Sequence, residues 1–406
     1  MTTALPLADD QLLSRFQALD SFLREHQHLW RPRPFTQLQL PWEAEHPTLA
    51  AWLRQRSLDE AEAAHNHPEQ LHAPAPFPQL ASLATRLSEV GELSTVALPA
   101  ASHRLNVDVP GRKWQQIEAF ASHLGFTRTP RHWLDWCSGK GHLGRRLLQG
   151  DHQQLTCLEY DPALVDAGRQ LSQHHGLSAD HRLQDVLAED AARHLNSDHT
   201  AVALHACGDL HVRLMQLASR QGCRQLAIAP CCYNRIQAAQ YQPLSSAAIT
   251  SGLQLSIDDL GLPLSETVTA GARVRRQRDE SMARRLGFDL LQRELRGMDE
   301  YLPTPSLPVS WLQKPYADYC LELMALKGLS IDRAPDWDAL QAAGWQRLAE
   351  VRNLELLRNL FRRPLELWLV LDRALYLREQ GYQVQLGVFC EQPLTPRNLM
   401  LLAQRQ

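Results

Sequence analysis

Three glycines with the spacing G-x-G-x-x-G lie in the segment LDWCSGKGHLG, residues 134–144. They are Gly139, Gly141 and Gly144. Glycines that follow a strand permit a tight turn, and they let backbone N–H groups approach a ligand at the start of a helix. This spacing is typical both of proteins that bind NAD and of proteins that bind S-adenosylmethionine, so the neighbouring residues must distinguish the two.

An acidic residue, Asp135, stands four residues before Gly139. A dinucleotide brings a pyrophosphate to such a loop, and the helix dipole favours that anion. S-adenosylmethionine has no phosphate, and its ammonium and sulfonium groups call for carboxylates or carbonyls instead. Loops of the NAD type usually carry an apolar residue at this position. Asp135 therefore favours S-adenosylmethionine as the cofactor and leaves an NAD enzyme as a weaker alternative.

Two further acids follow the next two predicted strands. Glu159 comes 20 residues after Gly139, where a carboxylate can accept hydrogen bonds from both ribose hydroxyls. Asp185 could accept a hydrogen bond from an adenine amino group. Each acid alone could equally cap a helix or lie in a solvated turn. Taken together, the pattern predicts these cofactor-binding residues: Asp135, Cys137, Ser138, Gly139, Gly141, His142, Glu159, Asp185 and His205.

The segments HACGDL and PCCYN end the next two predicted strands. Methyl transfer requires alignment of the acceptor with the methyl group and sometimes a base. No N/D-P-P-Y/F motif is present, although Tyr233 could stack on a planar acceptor. The predicted catalytic residues are His205, Cys231, Cys232, Tyr233 and Asn234, beside the further candidates Cys207 and Asp209.

The cysteines of these two segments allow three other interpretations. A thiolate of Cys231 could attack a pyrimidine before carbon methylation, but such a Pro-Cys motif is expected one strand earlier. His205, Cys207, Cys231 and Cys232 could bind zinc, but adjacent cysteines chelate poorly and no C-x-x-C spacing occurs. We therefore predict no metal. The third interpretation is that small buried cysteines pack the edge of the sheet.

Basic residues indicate where a substrate could bind. Lys113 and Trp114 precede the first strand of the predicted sheet, although they could simply begin a helix with a core tryptophan. Residues 271–285, GARVRRQRDESMARR, contain six arginines. Arginine binds phosphates through two parallel hydrogen bonds, whereas a solvated helix face with i,i+4 ion pairs is the alternative. We predict Lys113, Arg275 and Arg276 as substrate-binding residues.

Strands that alternate with helices predict an α/β fold. Five strands, at 132–137, 154–161, 181–187, 200–210 and 225–232, are separated mostly by helices, and nearly continuous apolar strands indicate a parallel sheet covered on both faces. Strands at 382–390 and 398–404 follow a helix at 365–379 and form a closing antiparallel hairpin. The prediction is a seven-stranded Rossmann-like sheet of the class I methyltransferase type, with a helical N-terminal extension and a helical insertion.

Four regions follow from this pattern. Residues 1–110 are a helical N-terminal extension, residues 111–236 are the core with strands one to five, residues 237–350 are a mostly helical insertion, and residues 351–406 complete the core. We expect the insertion to help form the acceptor site.

Composition limits the class of protein. The chain has 406 residues, 44% of them hydrophobic and 21% charged, with a formal net charge of −3, which is ordinary for a globular protein. The first residues lack a basic and an apolar signal region, and no apolar run reaches the roughly 18 residues of a membrane helix. We therefore expect a cytoplasmic protein that does not bind a membrane. Its eight cysteines are expected to be reduced thiols.

The segments DWCSGKGHLG, LHACGDL and APCCYN, with a late LTPRNLMLLA, resemble a group of methyltransferase-like proteins. The group includes the glutathione S-transferase C-terminal domain-containing proteins and the eukaryotic proteins once labelled ribosomal RNA adenine dimethylase domain-containing. More distantly, the segments are similar to tRNA 2′-O-methyltransferases with an HxCG-like and a CC-type motif. The resemblance covers about residues 112–236 and 364–404. It implies a class I S-adenosylmethionine-dependent fold, for which RNA is the usual candidate substrate.

The leading hypothesis is therefore an S-adenosylmethionine-dependent methyltransferase whose acceptor is RNA, either rRNA or tRNA. A protein or a small molecule is an almost equal candidate for the acceptor. A non-catalytic module that keeps the fold and binds the cofactor, protein or RNA is the alternative from another class, and an NAD-dependent enzyme is the third.

Overall fold

A computed structural model describes residues 4–102, 104–148, 153–265 and 272–405. Its strands form one eight-stranded sheet with the order β1-β7-β8-β6-β5-β2-β3-β4. Strands β4, β3, β2, β5 and β6 are parallel, and β8 and β7 continue the sheet as an antiparallel pair. The strands are β1 Leu7–Ala8, β2 His132–Trp136, β3 Gln154–Glu159, β4 Asp180–Leu183, β5 His199–Leu204, β6 Gln225–Ala229, β7 Gln383–Val388 and β8 Leu399–Gln404.

All seven predicted strands are present, and the predicted α/β class and closing hairpin are confirmed. Three strands end at least three residues earlier than predicted: β4 at Leu183, β5 at Leu204 and β6 at Ala229. The apolar character that suggested longer strands belongs partly to buried loop residues after the strand ends, such as Val186, Ala206 and Cys231. The eighth strand, β1, pairs with β7 at the edge and is too short to produce any periodic pattern.

Fifteen α-helices surround the sheet or form a separate bundle within the described residues. They are α1 Asp10–Glu25, α2 Gln27–Trp30, α3 Pro47–Arg54, α4 Leu58–Ala64, α5 Phe77–Ser88, α6 Gly111–Ser122, α7 His142–Leu147, α8 Pro162–His174, α9 Asp209–Arg220, α10 Ser246–Ser251, α11 Ile257–Leu260, α12 Ala272–Arg296, α13 Tyr316–Lys327, α14 Trp337–Asn359 and α15 Arg362–Glu379. None of these described helices is long and apolar enough to cross a membrane.

The chain divides into two compact units. The first consists of Met1–Arg24, Leu87–Val268 and Arg363–Gln406, and it contains the sheet. The second consists of Glu25–Arg86 and Thr269–Arg362. These units differ from the four predicted regions, because both the N-terminal extension and the insertion contribute residues to each unit.

The second unit is held together by contacts between segments that are far apart in sequence. Arg54 on α3 donates hydrogen bonds to Glu43 at 2.7 Å and to Glu350 on α14 at 2.9 Å. Helices α12 and α14 pack closely at Gly344. A Cβ atom at this position would lie only 2.4 Å from the carbonyl oxygen of Ala283, so the packing requires glycine. Sequence periodicity reports helices one at a time, so it could not show that residues 25–86 join this bundle.

The first unit has its core in the sheet and the helices that cover it. The central strands β5 and β6 are completely buried over Ala201–Ala203 and Leu226–Ala229, as expected for parallel strands with helices on both faces. On one face, α6 packs Ile117 and Phe120 against the sheet. This rigid frame fixes where each strand ends, and the candidate site lies at those ends.

Candidate functional site

Strands β2, β3, β5 and β6 are parallel and in register, so their carboxyl ends meet at one edge of the sheet. In open α/β sheets, ligands bind outside this edge. Most of the predicted site residues lie on it, in the loops that follow Trp136, Glu159, Leu183, Leu204 and Ala229. We describe the edge in two halves: the cofactor half after β2, β3 and β4, and the acceptor half after β5 and β6.

The glycine loop turns sharply between β2 and α7. The Ser138 amide donates a hydrogen bond to the Leu158 carbonyl at 3.0 Å, and the Gly141 amide donates one to the Ser138 carbonyl at 2.8 Å. Gly139 and Gly141 have φ angles of 56° and 71°, which glycine adopts without strain. A Cβ atom at Gly141 would lie 2.6 Å from Cε1 of His181, whereas one at Gly139 would meet nothing within 4 Å. The loop is therefore packed on its inner side and open at Gly139.

Asp135 lies beneath this loop and is only 2% exposed. Its Oδ2 accepts a hydrogen bond from the Gly144 amide at 2.9 Å. Burial raises the pKa of Asp135 to about 7, although the Gly144 hydrogen bond and the charges of Arg145 and Lys113 act in the opposite direction. The acid thus joins β2 to the first turn of α7, and contact with a cofactor ammonium group stays a prediction.

Glu159 ends β3 at the same edge. Its Oε2 accepts a hydrogen bond from the Gly139 amide at 2.8 Å, and its Oε1 accepts hydrogen bonds from the amides of Tyr160 and Asp161 at 3.0 Å. The side chain is half-buried. The carboxylate is therefore held against the open part of the glycine loop.

Asp185 is exposed beyond the end of β4. The Gln184 amide donates to the Glu159 carbonyl at 2.8 Å, which continues the pairing of β3 and β4 past Leu183. Asp185 Oδ1 accepts a hydrogen bond from the Leu187 amide at 2.9 Å. Glu159 and Asp185 thus follow neighbouring strands at this edge, as the sequence predicts.

Two other predicted cofactor residues flank the loop. Cys137 has a φ of 56°, rare for a residue with a side chain. Burial, and next the charge of Glu159, raises the pKa of the Cys137 thiol. His142 begins α7, and its Nδ1 lies 3.0 Å from a guanidinium nitrogen of Arg145. Burial, followed by the charge of Arg145, lowers the pKa of His142 to about 4, so its ring is neutral near pH 7.

His205 opens the acceptor half with a positive φ of 61°. Its amide donates to the Ala229 carbonyl at 3.0 Å, which connects the ends of β5 and β6. Its Nε2 lies 3.0 Å from Oε1 of Gln116 on α6. Burial lowers the pKa of His205 to about 4, and the charges of Arg397 and Lys113 add to that effect.

Gln116 is a site residue that sequence reasoning missed. It also donates a hydrogen bond from Nε2 to the Leu394 carbonyl at 3.1 Å, so it links α6 to the loop between β7 and β8. Lys113, three residues earlier on α6, is exposed, and its charge acts on Asp135, His142 and His205. Substrate binding by Lys113 stays a prediction. A glutamine within a helix carries no pattern that could have identified Gln116.

Three cysteines converge in the acceptor half. The Sγ atoms of Cys207 and Cys231 are 3.3 Å apart, and those of Cys207, Cys231 and Cys232 all lie within 4.8 Å of one another. Hydrogen bonding with Cys231 lowers the pKa of Cys207 to about 6, whereas the same hydrogen bond raises the pKa of Cys231. Negative charge in this group therefore resides first on Cys207. All eight cysteines of the chain are unpaired.

Tyr233 requires a correction. We predicted that it could stack on an acceptor, but the side chain is 0% exposed. Its hydroxyl donates to Oε1 of Glu366 on α15 at 3.2 Å, and the guanidinium of Arg373 lies 5.4 Å from its ring centroid. Because β6 ends at Ala229, the chain turns before Tyr233 and directs the ring inward. Asn234 is half-buried next to it.

Arg275 and Arg276 lie on α12 in the second unit, and the structure does not place them among the residues of the sheet edge. Arg276 is exposed and Arg275 is half-buried. Other arginines of this segment have structural partners. Arg284 forms an ion pair with Glu280 at 2.6 Å, and Arg285 donates to the Pro305 carbonyl at 3.0 Å.

The residues of the cofactor half fit S-adenosylmethionine. Glu159 presents a carboxylate that can accept hydrogen bonds from ribose hydroxyls, and Asp185 can accept one from the adenine amino group. The open space at Gly139 lets the backbone approach the ligand closely. Arg145 holds the loop from within α7, because its NH1 donates a hydrogen bond to the Lys140 carbonyl at 2.5 Å.

Comparison with known families agrees with this geometry. Residues 112–239 match a family described as a methyltransferase domain. The match covers the glycine loop, Glu159, Asp185 and the three cysteines of the acceptor half, but it does not cover the second unit. No curated protein matches the chain.

Solved structures give low overall similarity. TrmK of M. capricolum with S-adenosylhomocysteine is 12% identical, with 32% of this chain and 51% of that chain covered and a TM-score of 0.22. Sp1610 of Streptococcus pneumoniae, a putative tRNA (m1A22) methyltransferase, is 15% identical over 53% of this chain and 99% of that chain, with a TM-score of 0.25. Coclaurine N-methyltransferase is 13% identical over 86% of this chain and 90% of that chain, with a TM-score of 0.27. This chain thus spans about half of TrmK.

The match of residues 112–239 to a methyltransferase domain supports the predicted S-adenosylmethionine-dependent methyltransferase class and S-adenosylmethionine as the cofactor.

Proposed function

We propose that this chain transfers the methyl group of S-adenosylmethionine to RNA, with the acceptor nucleotide bound at the acceptor half of the edge. The cofactor side of the proposal is supported by one arrangement above all. The Glu159 carboxylate and the open Gly139 of the loop lie together at the carboxyl edge of a matched methyltransferase domain. When bound, S-adenosylmethionine supplies the electrophilic methyl group.

This chain's own residues would bind the cofactor and position the acceptor. Glu159 would accept hydrogen bonds from the ribose hydroxyls, and Asp185 would accept one from the adenine amino group. Asp135 holds the glycine loop in place through Gly144. The positive φ of His205 and its contact with Gln116 fix the entrance to the acceptor half. Alignment of the two reactants then accounts for much of the rate enhancement.

RNA as the acceptor is supported by the first two turns of α12. Arg273, Arg275 and Arg276 lie there, and the first turn contains no acidic residue. The helix dipole disfavours cations at a helix N-terminus, so these arginines do not serve to stabilise the helix. Arg273 and Arg276 are exposed, and guanidinium groups bind phosphates through two parallel hydrogen bonds.

The test has two stages. Calorimetry with S-adenosylhomocysteine measures cofactor binding first. The purified protein is then incubated with methyl-labelled S-adenosylmethionine and with RNA, protein and small-molecule fractions of a cell extract. We expect label in the RNA fraction that is lost after ribonuclease treatment and retained after protease treatment. Label in another fraction alone would contradict the RNA acceptor. Cofactor binding without transfer to any fraction would favour the non-catalytic alternative.

The docking role of α12 has its own test. Replacing Arg275 and Arg276 by Glu should weaken RNA binding and reduce the slope of log affinity against log salt by about 0.7 for each lost phosphate contact. The double change Arg86→Glu and Arg333→Glu is the charge-matched control, because both arginines are exposed in the same unit. Equal effects of the two changes would show only a loss of general positive charge, and an unchanged slope in the variant of Arg275 and Arg276 would remove the docking role.

A further inference from the structure

The three cysteines of the acceptor half come from two neighbouring strand ends. Cys207 follows β5, and the adjacent pair Cys231 and Cys232 follows β6. Cys231 is buried, whereas Cys207 and Cys232 are half-buried, so the group is reached from the surface. The proposed methyl transfer assigns no chemistry to three thiols at one point.

Backbone contacts hold the two turns in place. The His205 amide donates to the Ala229 carbonyl at 3.0 Å, and the Asp209 amide donates to the Arg235 carbonyl at 3.1 Å. Gly208, with a φ of 50°, lies so close that an added Cβ would be 1.8 Å from the Arg235 carbonyl oxygen. The positions of the thiols are thus set by the fold and not by flexible side chains.

The spacing of the sulfurs suits a metal ion. A tetrahedral Zn²⁺ with Zn–S bonds of about 2.3 Å holds its sulfur ligands about 3.8 Å apart. The Cys207 and Cys231 sulfurs are 3.3 Å apart, and no pair in the group exceeds 4.8 Å. The ideal separation of about 3.8 Å lies between the Cys207–Cys231 distance and this upper limit. Adjacent cysteines usually chelate poorly. Here, however, the sulfurs of the adjacent pair Cys231 and Cys232 both lie close to the Cys207 sulfur, so all three can reach one ion.

We propose that Cys207, Cys231 and Cys232 bind one Zn²⁺ ion as thiolates and leave its fourth position open to solvent at the acceptor half of the edge. Each cysteine that is still a thiol releases its proton on binding, and the resulting site of one Zn²⁺ and three thiolates has a net charge of −1. Arg235 and Arg397 compensate this charge, since both act electrostatically on the cysteines. Thiolates are the ligands that zinc prefers in such sites, and three protein ligands with one open position are typical of catalytic zinc.

His205 is not part of the proposed ligand set. Its Nε2 lies against Gln116, and its carbonyl oxygen accepts hydrogen bonds from the thiols of Cys231 at 3.2 Å and Cys207 at 3.7 Å. Those thiol protons are the ones that zinc would displace. A disulfide between Cys207 and Cys231 is the competing use of the same sulfurs, and it would leave Cys232 without a role.

The test measures metal content, which does not depend on methyl transfer. The full chain is purified under reducing, anaerobic conditions with zinc supplied during expression, and bound metals are measured by mass spectrometry. We expect about one zinc per chain. Removal of one ligand by Cys207→Ser or Cys232→Ser should weaken zinc binding more than about 100-fold, because loss of a group that only hydrogen-bonds to a ligand already costs about 10- to 100-fold. Cys390→Ser is the matched control, since Cys390 is also a half-buried cysteine of the first unit.

Cobalt substitution of the unaltered chain covers the case in which the serine variants do not fold. A tetrahedral Co²⁺ site should show intense visible bands and a thiolate-to-metal charge-transfer band, displaced by one equivalent of zinc. His46→Ala controls for an exposed group of possible ligands formed by His28, Glu45 and His46 in the second unit. Absence of thiolate–cobalt bands, zinc loss in the His46 variant alone, or a reduced protein that takes up no zinc would each overturn the proposal. Because the readout is metal content, a failed methyl-transfer assay does not affect it.

Discussion

The two halves of the sheet edge are built in different ways. In the cofactor half, acidic side chains accept hydrogen bonds from backbone amides of one local segment: Asp135 from Gly144, and Glu159 from Gly139. In the acceptor half, thiols from two loops meet one another and the carbonyl oxygen of His205. The cofactor half is therefore determined by a short stretch of sequence, and the acceptor half by the packing of β5 beside β6. Four substitutions test this contrast.

The largest effect is expected for Gly208→Ala in the acceptor half. The added Cβ would lie 1.8 Å from the Arg235 carbonyl oxygen, a backbone atom that cannot rotate away, and φ at this position is 50°. We expect a loss of about 3 kcal/mol or more in the free energy of unfolding, measured by urea denaturation. Gly222→Ala is the control, because its φ is 73° with nothing within 4 Å, and only the left-handed strain of about 1–2 kcal/mol applies. Equal losses would show that the two loops can move apart.

The next effect concerns the buried carboxyl of Asp135. The pKa of Asp135 is about 7 in the folded state, above the value of about 3.9 in the unfolded chain. Between about pH 3.9 and pH 7 the carboxyl therefore holds a proton in the folded state and has lost it in the unfolded state. Stability from this group is present at low pH and is lost as the pH rises toward 7. Asp135→Asn should remove this loss, so the variant should gain roughly 3 kcal/mol relative to the original chain between about pH 5 and 7.

Urea denaturation at several pH values measures this difference for Asp135→Asn. Asp198→Asn is the control, because Asp198 is an exposed acid in a turn of the same unit. A constant difference between Asp135→Asn and the original chain across the range would show that the carboxyl is ionised in the folded state at every pH tested.

Glu159→Gln sharpens the contrast from the cofactor side. Hydrogen bonds to a charged group contribute about 1.5–3 kcal/mol, so the affinity for S-adenosylhomocysteine should fall by about 10- to 100-fold in calorimetry. Asp166→Asn, on α8 of the same unit, removes an exposed carboxylate that pairs with Arg169 at 2.9 Å and should leave the affinity unchanged. An unchanged affinity in Glu159→Gln would remove the proposed ribose contact.

The smallest effect is expected for Tyr233→Phe. The change removes a buried hydrogen bond to Glu366 but keeps the ring and the ion pair of Glu366 with Arg363, so the free energy of unfolding should fall by about 1.5 kcal/mol. Once an acceptor is known, kcat and KM should not change, because the ring lies inside the core. Tyr376→Phe is the comparison, because Tyr376 is a half-buried tyrosine whose hydroxyl lies 3.4 Å from Ser219 Oγ. A specific rise in KM for Tyr233→Phe would restore the stacking role that the burial contradicts.

Sequence patterns located the strands well because buried parallel strands are largely apolar runs, and such runs are clear at β5 and β6. The same patterns overestimated three strand ends, because apolar loop residues that pack inward resemble strand residues. Tyr233 shows the consequence: the aromatic ring after the strand was assigned to an acceptor when it packs against α15. Gln116 is the opposite case, a site residue that the sequence did not indicate. Its contact with His205 joins α6 to a loop that is distant in the chain.

The sequence by itself determined the glycine loop, the acids at the ends of β2 and β3, and the α/β class, because each depends on residues that are close together in the chain. Only the tertiary structure decided that residues 25–86 join α12 and α14 in a second unit. It also decided that Tyr233 faces the core, and that Cys207 meets Cys231 and Cys232. These features depend on contacts between segments separated by many residues, and such contacts arise from the packing of the whole unit, which leaves no local pattern in the sequence.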